Sequence, residues 1–370
     1  MTAVPLLIYG DTHRSAEMRH EVPLAVPDPF LYLESNGTRA VVASTIEAPR
    51  FEGLGQFAVI RDVELGWDEL LTAGRERWDA EFEIAVRAVE RLGIEDAVVP
   101  LEFPLELADR LRERGVRVRV DAGEFTRRRR AKTTTEIEGI RRAQKAADAA
   151  MARAAELLRG GGDLTAEQVR EAMSTVCREH HCTLPPEVVV GAGAQGAVGH
   201  ESGSGPLPPG TSIIVDIWPS DDATGCYADM TRTFVIGEIP DEIAEWHRIT
   251  AEALERVRAA TRPGVSGKAL WELSCDVYEA AGHPTQRTKE PGVMLREGYF
   301  HSLGHGVGLE VHEEPNLGRG GSAELIPGDV VAVEPGTYRQ GFGGVRLEDL
   351  LLVTGDGCET LTAFPYGLTP

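Results

Sequence analysis

Two stretches of the chain, 118 residues apart, are built alike. Residues 209–216 read PGTSIIVD and residues 327–334 read PGDVVAVE. Each is a Pro-Gly turn, a β-branched apolar run and an acid six residues after the glycine. A second acid follows in both. Asp229, in YADMTRTFVIG, comes 13 residues after Asp216, and Glu348, in VRLEDLLLVTG, comes 14 residues after Glu334. Helical patterns broken by glycine, at GGGDLT and RPGVSG, precede the two copies. Self-similarity of this kind marks one structural unit used twice. The chain is therefore expected to contain an α/β (α+β) half and its copy, related by an approximate two-fold axis.

In each half the two acids fall on neighbouring strands, expected to be antiparallel given the loop between them. Pairing of the halves can bring Asp216, Asp229, Glu334 and Glu348 to one place. Their neighbours are apolar, IIV before Asp216 and VAV before Glu334. Buried unpaired charges are costly, and divalent cations offset the repulsion. The stretch HSLGHGVGLEVHEEP (301–315) adds nitrogen donors. His301 and His305 are four apart, but the glycines at 304, 306 and 308 would cost a helix about 1 kcal/mol each. Those glycines instead let a strand or tight loop pass close to a buried site. His305 is then the nitrogen ligand, with His301 and His312 beside the metals. Carboxylates plus one imidazole suit manganese, cobalt, iron or zinc.

Composition narrows the class. A chain of 370 residues, 42% apolar and 26% charged, has the makeup of a globular protein of two domains. A formal net charge of −21 argues against a nucleic-acid partner, whose phosphates demand cations. No apolar run reaches the ~18 residues of a membrane span. Five cysteines, without a CxxC pair, read as reduced thiols of a cytoplasmic protein. The start, MTAVPLLIYGDTHRS, lacks a basic n-region, so PLLIYG reads as a first strand and not as part of a signal peptide.

Residues 1–128 alternate strand-like runs (39–45, 56–63, 96–103 and 116–121) with amphipathic helical patterns (80–93 and 104–115). That is the mark of a small α/β domain. The run Arg127–Arg130 reads as a solvated linker. A long helix is expected from Thr135 to the stop at Gly160–Gly162. Thr165 and Gln168 form a capping box for a helix ending near His181. Two more helices are expected near 241–261 and 267–281, and His180 and His181 read as surface residues. GAGAQG at 191–196 fits GxGxxG, but AVGHESGSGPLPPG after it cannot form the helix a dinucleotide site requires. It reads as a loop that delivers His200.

At these residues the chain resembles the pita-bread metallopeptidase family, which includes prolidase, aminopeptidase P and methionine aminopeptidase, with creatinase as a metal-free relative. The resemblance is carried by the ordered set Asp216, Asp229, His305, Glu334 and Glu348. The runs DMTRTF, GHGVGLEVHE, VEPG and VRLED around them belong to it, as does KTTTEIEGIRRA, so that it spans roughly 131–365. It implies a pita-bread catalytic domain over 131–370, preceded by a smaller creatinase-like α/β domain over 1–130. It implies two divalent metal ions, manganese, cobalt or zinc with manganese favoured. Asp216 would hold one, His305 and Glu334 the other, and Asp229 and Glu348 would bridge. The catalytic candidates it implies are Glu334 as proton shuttle, His200 on the substrate, His312 on the tetrahedral oxyanion and His301 on the leaving-group side. Arg346, two residues before Glu348, either orients a ligand carboxylate or makes a strand-surface salt bridge.

The activity implied is hydrolysis of Xaa-Pro bonds in a peptide, of prolidase or aminopeptidase P type, by a homodimer. A metal-dependent hydrolase of a small non-peptide amide or ring is the alternative. A non-catalytic binding module on the same fold is a third reading, opposed by the presence of all five ligands. The chain departs from the family pattern at the pocket edge. IWPSDDAT lengthens the Asp216–Asp229 spacing, and Cys226 stands between Gly225 and Tyr227.

Overall fold

The computed structural model describes residues 4–370, in two compact units that divide between Arg129 and Arg130. The first unit is a six-stranded mixed sheet. Its strands are β1 (Leu6–Gly10), β2 (Phe30–Ser35), β3 (Thr38–Ala43), β4 (Ala58–Arg61), β5 (Asp96–Val99) and β6 (Arg117–Val120), in the order β4-β3-β2-β1-β5-β6. The helices are α1 (Ala16–Glu21), α2 (Ala48–Leu54), α3 (Trp67–Thr72), α4 (Arg77–Arg91), α5 (Leu105–Glu113) and α6 (Ala122–Arg130). Successive strand residues feed opposite cores: Leu7, Leu31 and Leu33 pack with Ile84 and Val89 of α4, whereas Leu6, Ile8 and Tyr32 pack with Phe51 of α2. A sheet covered on both faces has strands that read as unbroken apolar runs.

Three expectations are corrected here. Residues 62–65 turn as a 3-10 helix instead of extending the strand, and Pro100 ends β5 early. The arginine run is helical and not a solvated linker. Arg128 pairs with Glu21 (2.6 Å) and Glu34 (2.9 Å), and Arg129 pairs with Glu17 (3.1 Å). Arg130, which opens the second unit, pairs with the buried Asp329 (2.6 Å).

The second unit contains the duplication. Its first half has α7 (Thr134–Gly160), α8 (Ala166–Glu179), β7 (Cys182–Thr183), β8 (Val189–Ala192), β9 (Ser212–Ile217), β10 (Ser220–Asp221) and β11 (Met230–Val235). Both helices start on capping boxes, Thr133 with Glu136 and Thr165 with Gln168. Its second half has α9 (Asp241–Ala260), α10 (Gly267–Ala280), β12 (Glu297–Gly298), β13 (Gly304–Gly306), β14 (Glu313–Leu317), β15 (Val330–Val333), β16 (Gly336–Arg339), β17 (Gly343–Arg346), β18 (Asp349–Val353) and β19 (Cys358–Thr360). In each half a helix pair precedes three adjacent antiparallel strands, β8-β9-β11 in one and β13-β15-β18 in the other. The sheet is sandwiched between the helix pairs. Val330 and Ala332 of β15 join the core of α7 and α8, and Val331 and Val333 join that of α9 and α10. Among the described residues no helix is long and apolar enough to cross a membrane.

Candidate active site

The four acids sit where the paired strands end. Asp216 is in β9 opposite Thr231 of β11, and Asp229 directly precedes β11. Glu334 follows β15 and Glu348 precedes β18, one step beyond the last registered pair, Val333 and Asp349. The halves meet through β11. Thr231 Oγ1 donates to Glu348 Oε2 (2.7 Å), and Glu348 N donates to Thr231 O (3.1 Å). Thr233 Oγ1 donates to Arg346 O (2.9 Å) and accepts from Arg346 N (3.0 Å).

His305 lies in β13, the strand wedged between β14 and β15. A Cβ on Gly304 would stand 1.9 Å from Ala332 O, and one on Gly306 would stand 2.3 Å from Glu314 O, so no larger residue fits beside this histidine. His305 Nδ1 faces Gly306 O (3.1 Å), which only accepts. The proton therefore resides on Nδ1 and leaves Nε2 as a bare donor atom. That nitrogen points at Asp229 Oδ2 and Glu334 Oε1, 3.7 Å from each. Burial, with His312 adding to it, pushes His305 down to about 4.

Asp229, His305 and Glu348 each offer a ligand atom within 4.8 Å of the others. Glu334 joins them through His305. Asp216 lines the same cavity, but its Oδ2 is held by Arg346 Nη2 while its Oδ1 is buried without a hydrogen-bond partner. Burial and mutual repulsion hold Asp229 and Glu348 well above the usual carboxylate range, and burial lifts Glu334 from 4.5 to about 8. Raised acids, an orphaned carboxylate oxygen and a bare imidazole nitrogen in one hollow fit divalent cations.

The remaining candidates surround a cavity of about 760 Å³. His200, His301 and His312 all line it. His312 stands edge-on to His305, ring centres 4.2 Å apart. His200 is exposed at the rim, after a 3-10 turn over Gly193–Ala197 that replaces the expected open loop. Arg346 is 5% exposed, which rules out the strand-surface salt bridge. Its guanidinium reaches Asp216, Thr231 Oγ1 (3.1 Å) and Tyr338 Oη (3.4 Å).

Tyr338 was not among the sequence candidates. Its hydroxyl meets His301 Nε2 (3.1 Å), whose Nδ1 donates to Ser302 O (2.6 Å), so Tyr338 donates to the histidine and accepts from Arg346. A tyrosine in an apolar strand reads as core, and only its place four residues after Glu334 hinted otherwise. Trp218, from the IWPSDDAT insertion, also lines the cavity. Lys132, of the KTTTEIEGIRRA segment, pairs with Glu313 directly after His312.

Fold and site together define a metal-dependent hydrolase of the pita-bread class. The chain belongs to metallopeptidase family M24, whose profile matches residues 138–355. A protein named probable dipeptidase PepE from Mycobacterium tuberculosis is 33% identical over 271 residues, 73% of this chain and 68% of that one. The Xaa-Pro dipeptidase of Pyrococcus furiosus is 30% identical over 234 residues, 62% of each chain. Among solved structures, dipeptidase PepE from Mycobacterium ulcerans superposes with a TM-score of 0.77 at 26% identity, over 99% of this chain and 92% of that one. X-Pro aminopeptidase from Thermotoga maritima MSB8 shares the fold, with a TM-score of 0.80 at 24% identity over 98% and 96%.

Proposed function

We propose that this chain is an exopeptidase that cleaves Xaa-Pro bonds using two divalent ions, with Asp216, Asp229, His305, Glu334 and Glu348 as their ligands. The observation that carries the reading is the convergence of Asp229, His305 and Glu348 on one point, with Glu334 and Asp216 on the same cavity wall. The relatives named for Xaa-Pro dipeptides support the substrate class. Bound divalent ions supply an acidified water and polarise the scissile carbonyl. Glu334 takes the proton of the attacking water and passes it to the leaving nitrogen. His312 donates to the oxyanion of the tetrahedral intermediate, His200 contacts the substrate at the rim, and His301, fixed by Tyr338, lines the leaving-group side. Arg346 positions Asp216.

Manganese is the favoured metal, on the preference of a carboxylate-rich set for hard cations. A homodimer and a cytoplasmic location complete the reading, the latter supported by five free cysteines. The test is turnover of Ala-Pro and Ala-Pro-Xaa peptides with metal content measured on the same sample. The wild type is expected to carry metal and cleave, and Glu348→Ala to lose both. A fully active Glu348→Ala enzyme would remove Glu348 from the metal ligands.

A further inference from the structure

We propose that the hollow beside Phe300 is a subsite for the residue that follows the proline of a peptide substrate, and that Lys289 receives that residue's carboxylate. The inference rests on the Xaa-Pro reading above and deepens it, from a bond type to a peptide of at least three residues.

A second hollow of about 470 Å³ abuts the catalytic cavity. Phe300 lines both, and the strand that places Tyr338 in the first leads to Gln340 in the second. A peptide whose proline lies against His301 and Phe300 therefore has a path for the next residue. The floor of that path is apolar. Val293 is 48% and Met294 77% exposed, and Leu295 lies beside them. Exposed large apolar side chains that adjoin a catalytic cavity mark a binding surface.

Charge sets the length of the occupant. A dipeptide would end in a carboxylate directly after the proline ring. Among the described residues lining the catalytic cavity, Arg346 is the one lysine or arginine, and its guanidinium is already spent on Asp216, Thr231 and Tyr338. A terminal carboxylate there would find no lysine or arginine free to receive it, the divalent ions being engaged by their own ligands, and a carboxylate left without a partner is unfavourable. One more residue moves the carboxylate about 3.5 Å further along the chain, towards the second hollow. Lys289 lies in that hollow, half-buried. Its ammonium donates to Val293 O (2.9 Å) and meets no carboxylate among the described residues. An ammonium held in place by one backbone acceptor has donors left for a ligand carboxylate.

The experiment compares kcat/KM of the metal-loaded enzyme for Ala-Pro, Ala-Pro-Gly, Ala-Pro-Leu and Ala-Pro-Leu amide, in wild type and in Lys289→Gln. The wild type is expected to favour Ala-Pro-Leu over its amide roughly tenfold, as for loss of one hydrogen bond to a charged group. It is also expected to favour leucine over glycine at the third position, and both over the dipeptide. Lys289→Gln should bring the acid down to the level of the amide, and Met294→Ser should narrow the leucine preference. Equal rates for acid and amide in the wild type, a preference for Ala-Pro, or full acid discrimination in Lys289→Gln would each overturn the subsite while leaving Xaa-Pro cleavage in place. Cleavage of none of these peptides would overturn the Xaa-Pro reading and the subsite with it. The wild-type comparison stands whether or not the variants fold.

Discussion

His312 and His305 have different duties although their rings touch. His305 is locked by the Gly306 carbonyl and by strands on both sides, whereas His312 follows a loop and faces the open cavity. A His312→Ala enzyme should therefore keep its metal, measured by elemental analysis, and lose about 10² to 10³ in kcat, the usual loss for an oxyanion donor. Unchanged kinetics would end that assignment. The acids were legible in the sequence because their type is rare in apolar strands and their spacing repeats, and His305 because glycines flank it, whereas the duties of His200, His301 and His312 came from the family resemblance. Tyr338 and Thr231 were not, because a buried hydroxyl that links two charged groups looks in sequence like ordinary strand filling. The polar stretch Thr231, Arg232 and Thr233 just ahead of FVI was the one trace of Thr231, as its place after Glu334 was for Tyr338.

At the scale of elements, β13 carries the tightest constraint. It is three residues long, GHG, and pairs on both edges. Gly304→Ala would drive a methyl into Ala332 O, a backbone atom that cannot swing aside. We expect a loss of about 1–3 kcal/mol, as for overpacking elsewhere, read as a lower midpoint of thermal unfolding together with weaker metal binding, since His305 moves with the strand. Wild-type stability and metal affinity in this variant would show that the strand has slack. The duplication was readable from two turns and four acids, and the helix caps from Thr165 and Gln168. The third strand of each half was not. β8 and β13 share no residue pattern, one being VVGA and the other GHG, so their equivalence is visible only in the pairing. Likewise the arginine run read as solvent-facing because its partners, Glu17, Glu21, Glu34 and Asp329, lie far away in sequence.

For the molecule as a whole, the acid cluster ties stability to metal and to pH. Glu334 is lifted from 4.5 to about 8 in the folded, metal-free protein, and Asp229 and Glu348 are lifted as well. A group whose folded value exceeds its unfolded one binds its proton more tightly when folded. Its stabilisation is complete below pH 4.5 and fades as pH rises towards about 8. Scans of the chelator-treated protein between pH 5 and 8 should show the unfolding midpoint falling with pH, and saturating manganese should restore it most at the alkaline end. A flat metal-free profile would mean that the carboxylates already share their charge with other partners.

The seam between the halves has one more consequence. Arg232, 1% exposed on β11, donates to Glu348 O (2.7 Å), Phe364 O (2.6 Å) and Pro365 O (3.0 Å), and pairs with Asp349 (3.0 Å). Apart from the adjacent Thr231 carbonyl, every acceptor for this cation is more than a hundred residues downstream. During synthesis the strand that carries it must therefore wait, its guanidinium hydrated, until Phe364 and Pro365 have left the ribosome. The seam beside the peptidase site thus closes only once residues 364 and 365 have joined the fold.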